Sequence, residues 1–332
     1  MYFIAEIGVN HEGSLSKAFL CIKRAKQAGA HAVKFQVYKA EKIASKYAMA
    51  YWDKKEEKQK NQLELFKKFD NFDNKDYEKI YQYCKKIKID FIITPFDIDC
   101  VKFFKNKVSF FKISSSDITN LPLIEVIAKT KKKIILSTGA STLKEVKNAI
   151  KAINKYNKKV ILLHCILNYP TQKSNSNLNM IDDLKKLNLP VGISDHTKPK
   201  DSHEILIYAY IKGALFIEKH FTYNKNKIGN DHYHSFDKSD LKRFLRKIKD
   251  VDKILGSKKK TFIKSEKISR KYARRSLFLN QNIKKNVIIK NKDLISLRPG
   301  KGINPMSIRD YLGRKTKKNL YKGNFLKKTD LI

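Results

Sequence analysis

Short apolar segments rich in β-branched and aromatic residues recur along the first two thirds of the chain, separated by segments with helical periodicity. The eight apolar segments are YFIAEIG (2–8), HAVKFQVY (31–38), DFIITPF (90–96), FFKISSS (110–116), KIILSTG (133–139), VILLHCI (160–166), PVGISDH (190–196) and ALFIEKH (214–220). A typical intervening segment, LSKAFLCIKRAKQAG (15–29), ends at glycine, a common C-terminal cap. Eight alternations over about 250 residues predict an α/β fold, the (β/α)₈ TIM barrel.

The chain after the eighth strand changes character in two steps. Capping residues and periodicity in 235–256 predict the helix that completes a barrel domain at 1–256. A basic, weakly periodic stretch at 257–274 predicts a linker, and short runs broken by Asn, Gly and Pro predict a small β-rich C-terminal domain at 275–332. The long polar insert at 39–89 predicts an extra helix or an excursion over the barrel mouth.

Ionisable residues interrupt the apolar strands near their carboxyl ends. Because strand residues alternate between two faces, an inward Phe216 places Glu218 and His220 inward and Lys219 outward. Inward residues at this end of a barrel strand line the face where active sites of the fold lie. The same pattern predicts polar residues at the mouth on most other strands: Glu6, Lys34, Gln36, Lys112, Ser137, His164 and His196.

Two histidines end adjacent strands, His196 and His220. Adjacent strands lie about 4.8 Å apart, so both imidazoles can reach one metal ion. Asp195, Glu218 and Asp231 are candidates to orient them. The spacing leaves open the alternative of a hydrogen-bonded histidine–carboxylate pair without a metal.

Two lysines, Lys34 and Lys112, share the predicted mouth. Like charges there are unfavourable unless an anion joins them, so the pattern predicts a phosphate or carboxylate ligand. A structural salt bridge between Lys34 and Glu6 is the alternative. Further donors are available from Ser114, Ser115, Ser116, Ser137, Thr138 and Gly139.

The net charge of +40 invites a nucleic-acid interpretation. The lysines are spread along the whole chain, however, and no surface motif of interleaved basic and aromatic residues accompanies them. We therefore expect no nucleic-acid partner, and the sequence assigns no role to the charge. Four dispersed cysteines without a CxxC pair, an N-terminus unlike a signal peptide and no long apolar run predict a cytoplasmic protein that does not associate with membranes.

Eleven motifs in order give the chain a family resemblance. They are AEIGVNHEG (5–13), VKFQ (33–36), TPF (94–96), FKISSSD (111–117), LSTG (136–139), HCILNYPT (164–171), GISDHT (192–197), EKHFT (218–222), GNDH (229–232) and, in the tail, RRSL (274–277) with RPGKGI (298–303). The chain resembles the sialic acid synthase family, the phosphoenolpyruvate-dependent synthases of nonulosonic acids, and its tail resembles their antifreeze-like SAF domain.

The resemblance implies a metal-dependent condensation of phosphoenolpyruvate with an N-acylated hexosamine, either N-acetylmannosamine or a diacetamido-dideoxy hexose. The product would be a nine-carbon 2-keto sugar acid of the sialic, legionaminic or pseudaminic type, and phosphate would be released. His196 and His220 match the metal-binding positions, with Mn²⁺ expected and Mg²⁺ or Co²⁺ as alternatives. A different enzyme, an aldolase that forms a Schiff base at Lys112, is the competing interpretation.

The remaining site residues are carried over from the family motifs. Glu6, Gln36, Tyr169 and Asp231 match the catalytic centre, with Glu6 a candidate for proton handling, and Tyr169 and Asp231 also match positions beside the sugar. The phosphoenolpyruvate-binding positions are matched by Lys34, Thr94, Lys112, Ser115 and Ser137. Arg298 matches an arginine that reaches the sugar from the second subunit of a domain-swapped homodimer. Leu167 stands where studied members carry asparagine, which leaves the identity of the hexosamine open.

Overall fold

The computed structural model describes residues 1–52, 58–229 and 231–332. These residues form two compact units, Met1–Ile254 and Leu255–Ile332. None of the described helices has the length and apolar character needed to cross a membrane.

The first unit is a closed barrel of eight parallel strands, in which β8 pairs back onto β1. The strands β1 to β8 are Tyr2–Glu6, Ala32–Val37, Asp90–Pro95, Phe110–Ile113, Lys133–Ser137, Val160–Cys165, Val191–Asp195 and Phe216–His220. This architecture confirms the (β/α)₈ barrel predicted from the alternating segments.

Helices cover the outside of the barrel. The helices α1 to α10 are Leu15–Ala28, Ala40–Ile43, Gln62–Phe69, Asn74–Lys86, Ile98–Phe104, Leu121–Lys129, Leu143–Asn154, Met180–Lys185, Pro199–Ile211 and Lys238–Leu255. Local sequence sets their ends: the Ser14 hydroxyl accepts from the Lys17 N–H at the start of α1, and Gly29 ends that helix with a φ of 99°. The predicted extra helix of the insert corresponds to α3, while residues 53–57 of the insert lie outside the described residues.

The barrel interior is apolar at its lower end and polar at its mouth. Its buried apolar layer consists of Ile4, Ala32, Ile92, Phe110, Ile135, Ile161 and Leu163, with Tyr2 and Phe216 packed against it. Phe216 is therefore inward, as predicted, and Glu218 and His220 follow it on the same face. The prediction for His164 is wrong: its ring nitrogen Nε2 lies 2.8 Å from the Ser176 carbonyl oxygen outside the barrel, and Cys165 takes the inward position on β6.

Lys219 points outward from β8 and is fully buried. Its ammonium donates to the Asp195 carboxylate at 2.7 Å and to the Thr197 carbonyl at 2.5 Å. Burial raises the pKa of Asp195, but Lys219 outweighs this and holds the pKa below its usual range. Asp195 therefore anchors the end of β7 to β8 and, contrary to the sequence hypothesis, does not contact the histidines through its carboxylate.

The second unit contains a two-stranded antiparallel sheet of β9 (Ser276–Leu279) and β10 (Leu294–Leu297). A core separate from that of the barrel packs around Leu277, Leu279 and Leu326. The short helix α11, Lys267–Ala273, lies within the stretch predicted as a linker. The small β-rich C-terminal domain is thus present.

Removal of the Lys219 charge should destabilise the barrel much more than removal of an exposed one. Lys219→Met would leave Asp195 buried without its counter-ion, so we expect the free energy of unfolding to fall by about 3–5 kcal/mol in urea denaturation. The matched control is Lys212→Met, which removes a part-exposed pair with Asp182 at 2.6 Å and should cost about 1 kcal/mol or less. Equal losses for the two variants would contradict this assignment.

Candidate active site

Two adjoining cavities open at the C-terminal face of the barrel. The polar cavity has a volume of ≈ 410 Å³ and the apolar cavity one of ≈ 130 Å³. The side chains that line both are Gln36, Tyr51, Phe66, Tyr169 and His220. Because they share these walls, the two cavities are neighbours, and ligands bound in both would lie close together.

The structure brings eleven of the twelve predicted site residues to these cavities. The polar cavity is lined by Glu6, Lys34, Thr94, Lys112, Ser115, Ser137 and His196, together with the shared Gln36, Tyr169 and His220. Asp231 lines the apolar cavity. Arg298 belongs to the second unit, where it is exposed in the bend directly after β10.

A buried charge network occupies the floor of the polar cavity. The Lys34 ammonium lies 2.6 Å from the Glu6 carboxylate and 3.7 Å from that of Glu218, and it donates to the Thr94 hydroxyl at 2.9 Å. Burial lowers the pKa of Lys34, but Glu218 and Glu6 outweigh this and raise it. The salt bridge offered as an alternative role for Lys34 is therefore present.

Lys112 is less well paired than Lys34. Its ammonium lies 3.9 Å from the Glu218 carboxylate and donates to the Ile113 carbonyl at 3.3 Å. Burial lowers the pKa of Lys112 below its usual range. Glu218 also accepts a hydrogen bond from the Ser194 hydroxyl at 3.0 Å. Burial raises the pKa of Glu218, but the two lysines outweigh this effect and lower the pKa to about 2. Glu218 thus compensates the lysines, a role different from the histidine orientation proposed from the sequence.

Hydroxyl groups complete the polar cavity. The Ser137 Oγ is buried without a hydrogen-bond partner among the described residues, and the Ser115 Oγ accepts from the Gly139 N–H at 2.9 Å. A buried hydroxyl without a partner costs free energy, which an oxyanion ligand would recover. Burial also raises the pKa of Glu6, although the neighbouring Lys34 opposes this shift.

Three potential metal-binding side chains converge beside the polar cavity. His220, Asp231 and His234 offer ligand atoms that all lie within 4.8 Å of one another. The His220 Nδ1 is 3.2 Å from an Asp231 oxygen, and His234 Nε2 is 3.9 Å from the other. Although burial raises the pKa of Asp231, His220 outweighs it and lowers that pKa. A histidine–carboxylate pair, the alternative to a metal, is therefore also compatible with this geometry.

His196 lies at the edge of this group. Its ring centroid is 5.4 Å from that of His220 and 4.2 Å from that of Tyr169. Its Nδ1 lies 2.8 Å from the Ile166 carbonyl oxygen, which leaves Nε2 available for a ligand. The predicted pair of histidines is thus adjacent.

Sequence reasoning missed His234 and Asn10. The motif GNDH ends at His232, two residues before His234. The His232 Nδ1 lies 2.7 Å from the Thr222 hydroxyl, and its Nε2 lies 3.3 Å from Glu12. The sequence signal for His234 is its spacing, because a histidine three residues after Asp231 can contribute to the same metal site. Asn10 is fully buried and had no periodicity or charge to distinguish it.

The apolar cavity was also missed, because its walls come from the insert before α4. Its aromatic and aliphatic lining includes Trp52, Leu65, Phe66 and Phe69. Leu167, the departure from the family pattern, lines the polar cavity, whereas its neighbour Asn168 is exposed.

Comparison with known proteins identifies the family. Residues 21–260 match the NeuB family and residues 274–332 match the SAF domain. The chain is 38% identical to an N,N'-diacetyllegionaminic acid synthase of Campylobacter jejuni, over 95% of this chain and 96% of that protein. It is 30% identical to a pseudaminic acid synthase of the same species, over 99% and 96% of the two chains.

A solved structure gives the same result. The crystal structure of an N-acetylneuraminic acid synthetase from Leptospira borgpetersenii, in complex with citrate, is 32% identical with a TM-score of 0.72 and covers 81% of this chain and 89% of that one. These matches confirm the resemblance drawn from the motifs. The chain therefore belongs to the NeuB family of synthase enzymes and carries a SAF domain at its C-terminal end.

Proposed function

We propose that the chain condenses phosphoenolpyruvate with an N-acylated hexosamine, giving a nine-carbon 2-keto sugar acid and phosphate. The observation that carries the proposal is the junction of two cavities, one with buried lysines and hydroxyls and one beside a histidine–aspartate group. A trianionic substrate suits the first, and a sugar with apolar substituents suits the second. Their shared walls would hold the reacting carbons together.

Lys34, Lys112 and the hydroxyls of Thr94, Ser115 and Ser137 would bind phosphoenolpyruvate. Lys34 is tightly paired with Glu6 at 2.6 Å, so its main role is to orient, whereas the Lys112 ammonium is 3.9 Å from Glu218 and can turn to the phosphate or carboxylate. Water attack at C2 and loss of phosphate require a proton acceptor and a donor. Glu6, whose pKa burial raises, would handle that proton, and the neighbouring Gln36 amide would supply hydrogen bonds to the reacting groups.

A divalent metal, Mn²⁺ by the resemblance, fits the residues present. Both buried ring nitrogens of His234 have no hydrogen-bond partner among the described residues, a condition that metal binding would relieve. His196 and His220 would hold the ion, and Tyr169 packs against both rings. When bound, such an ion supplies Lewis-acid polarisation of the sugar aldehyde. Asp231 would lie beside both the ion and the sugar.

Of the candidate hexosamines, a 2,4-diacetamido-6-deoxy hexose of the legionaminic acid type fits best. The apolar cavity beside Asp231 suits methyl groups of acetamido or deoxy positions, because burial of each CH₂-sized group contributes about 0.8 kcal/mol. The relative named for legionaminic acid shares more identity with this chain than the one named for pseudaminic acid. Both observations support the same substrate.

We further propose a homodimer in which Arg298 of one subunit completes the sugar site of the other. Arg298 is exposed beside Pro299 and Gly300, in a bend suited to presenting a side chain. The free thiols of Cys21, Cys84, Cys100 and Cys165 accord with a reducing cytoplasm as the site of the reaction.

The proposal is tested by phosphate release from phosphoenolpyruvate across a panel of sugars. We expect the 2,4-diacetamido-6-deoxy hexose to give a kcat/KM at least about tenfold above that of N-acetylmannosamine, since one or two buried methyl groups are worth that much. Release with none of the sugars would overturn the function. Inactivation by borohydride only when substrate is present would instead establish the Schiff-base aldolase.

Lys112 should act on the anion and not on the sugar. For Lys112→Ala we expect KM for phosphoenolpyruvate to rise about 10- to 100-fold, the value of a charge-assisted hydrogen bond, with KM for the sugar nearly unchanged. Since burial lowers the pKa of Lys112, its charge is lost at a lower pH than that of a free lysine, and wild-type KM should rise at alkaline pH. Lys112→Arg is the control that keeps its charge and should delay that rise. Equal losses for both substrates would contradict this role.

The action of Arg298 across a dimer predicts complementation between inactive variants. Arg298→Ala and His220→Ala should each be inactive, but a mixed dimer contains one intact composite site. If subunits exchange freely, activity should recover to about a quarter of wild type, since half of the dimers are mixed and each has one good site of two. Two differently tagged Arg298→Ala chains form the control. Exchange without recovery would show that Arg298 serves its own barrel or no site.

A further inference from the structure

We propose that His234 is a third histidine ligand of the divalent metal, which it binds together with His220 and Asp231. The inference rests on the metal dependence in the proposed function and extends it, since the family motifs account for His196 and His220 alone. His234 lies outside every motif that suggested the reaction.

The geometry places His234 against the other ligands. Its ring centroid is 4.7 Å from that of His220 and 6.3 Å from that of His196. Its Nε2 is 3.9 Å from Asp231 Oδ1, while the other Asp231 oxygen faces His220. The carboxylate therefore lies between two imidazoles, an arrangement in which one ion can contact all three.

The second observation is that His234 is fully buried and that neither ring nitrogen has a hydrogen-bond partner among the described residues. An imidazole in that condition costs free energy, which a bound ion would recover.

Asn10 holds the turn that carries two of the ligands. Its side-chain carbonyl accepts from the Asp231 N–H at 3.2 Å, and its amide donates to the Ser235 hydroxyl at 2.9 Å and to the Phe221 carbonyl at 3.1 Å. The Ser235 hydroxyl in turn donates to the Asp231 carbonyl. The turn is thereby fixed against the end of β8, where His220 lies. Fixed ligands lose little freedom when an ion binds.

Two imidazoles and one carboxylate form a donor set suited to Mn²⁺, Fe²⁺, Co²⁺ or Zn²⁺, and poorly suited to Mg²⁺ and Ca²⁺, which prefer oxygen ligands. The third ligand should therefore raise the affinity for transition metals specifically. His196 Nε2 remains available to the same ion, so the proposal adds to the predicted pair.

Calorimetric titration of the full chain with Mn²⁺ and Co²⁺ tests the proposal. We expect His234→Ala to weaken binding of both ions at least about tenfold, with little change for Mg²⁺, while circular dichroism shows an intact fold. His232→Ala is the control from the same turn, because its ring contacts Thr222 and Glu12, and it should bind as wild type does. Wild-type affinity in His234→Ala would overturn the proposal, as would absence of binding by the wild type; neither result prejudges the sugar panel.

A cysteine substitution gives a readout that a structural role would not produce. In Co²⁺-loaded His234→Cys, a thiolate ligand should add a near-ultraviolet charge-transfer band that is absent from the wild type and from His232→Cys. The band would establish coordination at position 234 even if His234→Ala does not fold. Co²⁺ binding by His234→Cys without the band would overturn the proposal.

Discussion

The buried compensation of Lys34 by Glu6 and Glu218 is the interaction on which the barrel mouth depends. Each of these side chains is at most 5% exposed, and an unpaired charge at that depth would cost several kcal/mol. The three residues come from β2, β1 and β8, the strands on either side of the closing seam. The same contacts therefore stabilise closure of the sheet and hold the groups that face the substrate.

Around this network, the alternation of strand residues divides the interior into two zones. The lower zone is filled by apolar side chains, which make it a packed core, and the upper zone is polar and open. On the outer face of the barrel, Lys219 and Asp195 likewise form a buried ion pair, which joins the ends of β7 and β8. Because rigid strand ends carry most of the polar groups, the loops can vary the substrate pocket without moving them.

Period-two alternation was sufficient to predict the inward positions of Lys34, Lys112 and His220, because each lies two or four residues beyond an inward apolar residue. The prediction for His164 is wrong because it follows from the polar character of histidine. The inward Leu163 sets a register in which residue 164 points outward. His234 follows a strand in a short turn, which has no period from which orientation can be derived. The apolar cavity forms where the insert packs near the end of β8, and these two segments are about 150 residues apart in a chain of 332. Local sequence patterns do not predict contacts between such distant segments.

The seam between β1 and β8 also has a consequence for synthesis of the chain. Glu6 leaves the ribosome more than two hundred residues before its neighbours across the seam, Glu218 and His220. Asn10 likewise cannot form its hydrogen bonds to Asp231 and Ser235 until those residues have emerged. Until then β1 has an unpaired edge with a carboxylate at its end, a nascent surface prone to wrong pairing. The binding site can therefore form only after residue 236 has emerged from the ribosome, and chaperone protection before that point would matter most for β1.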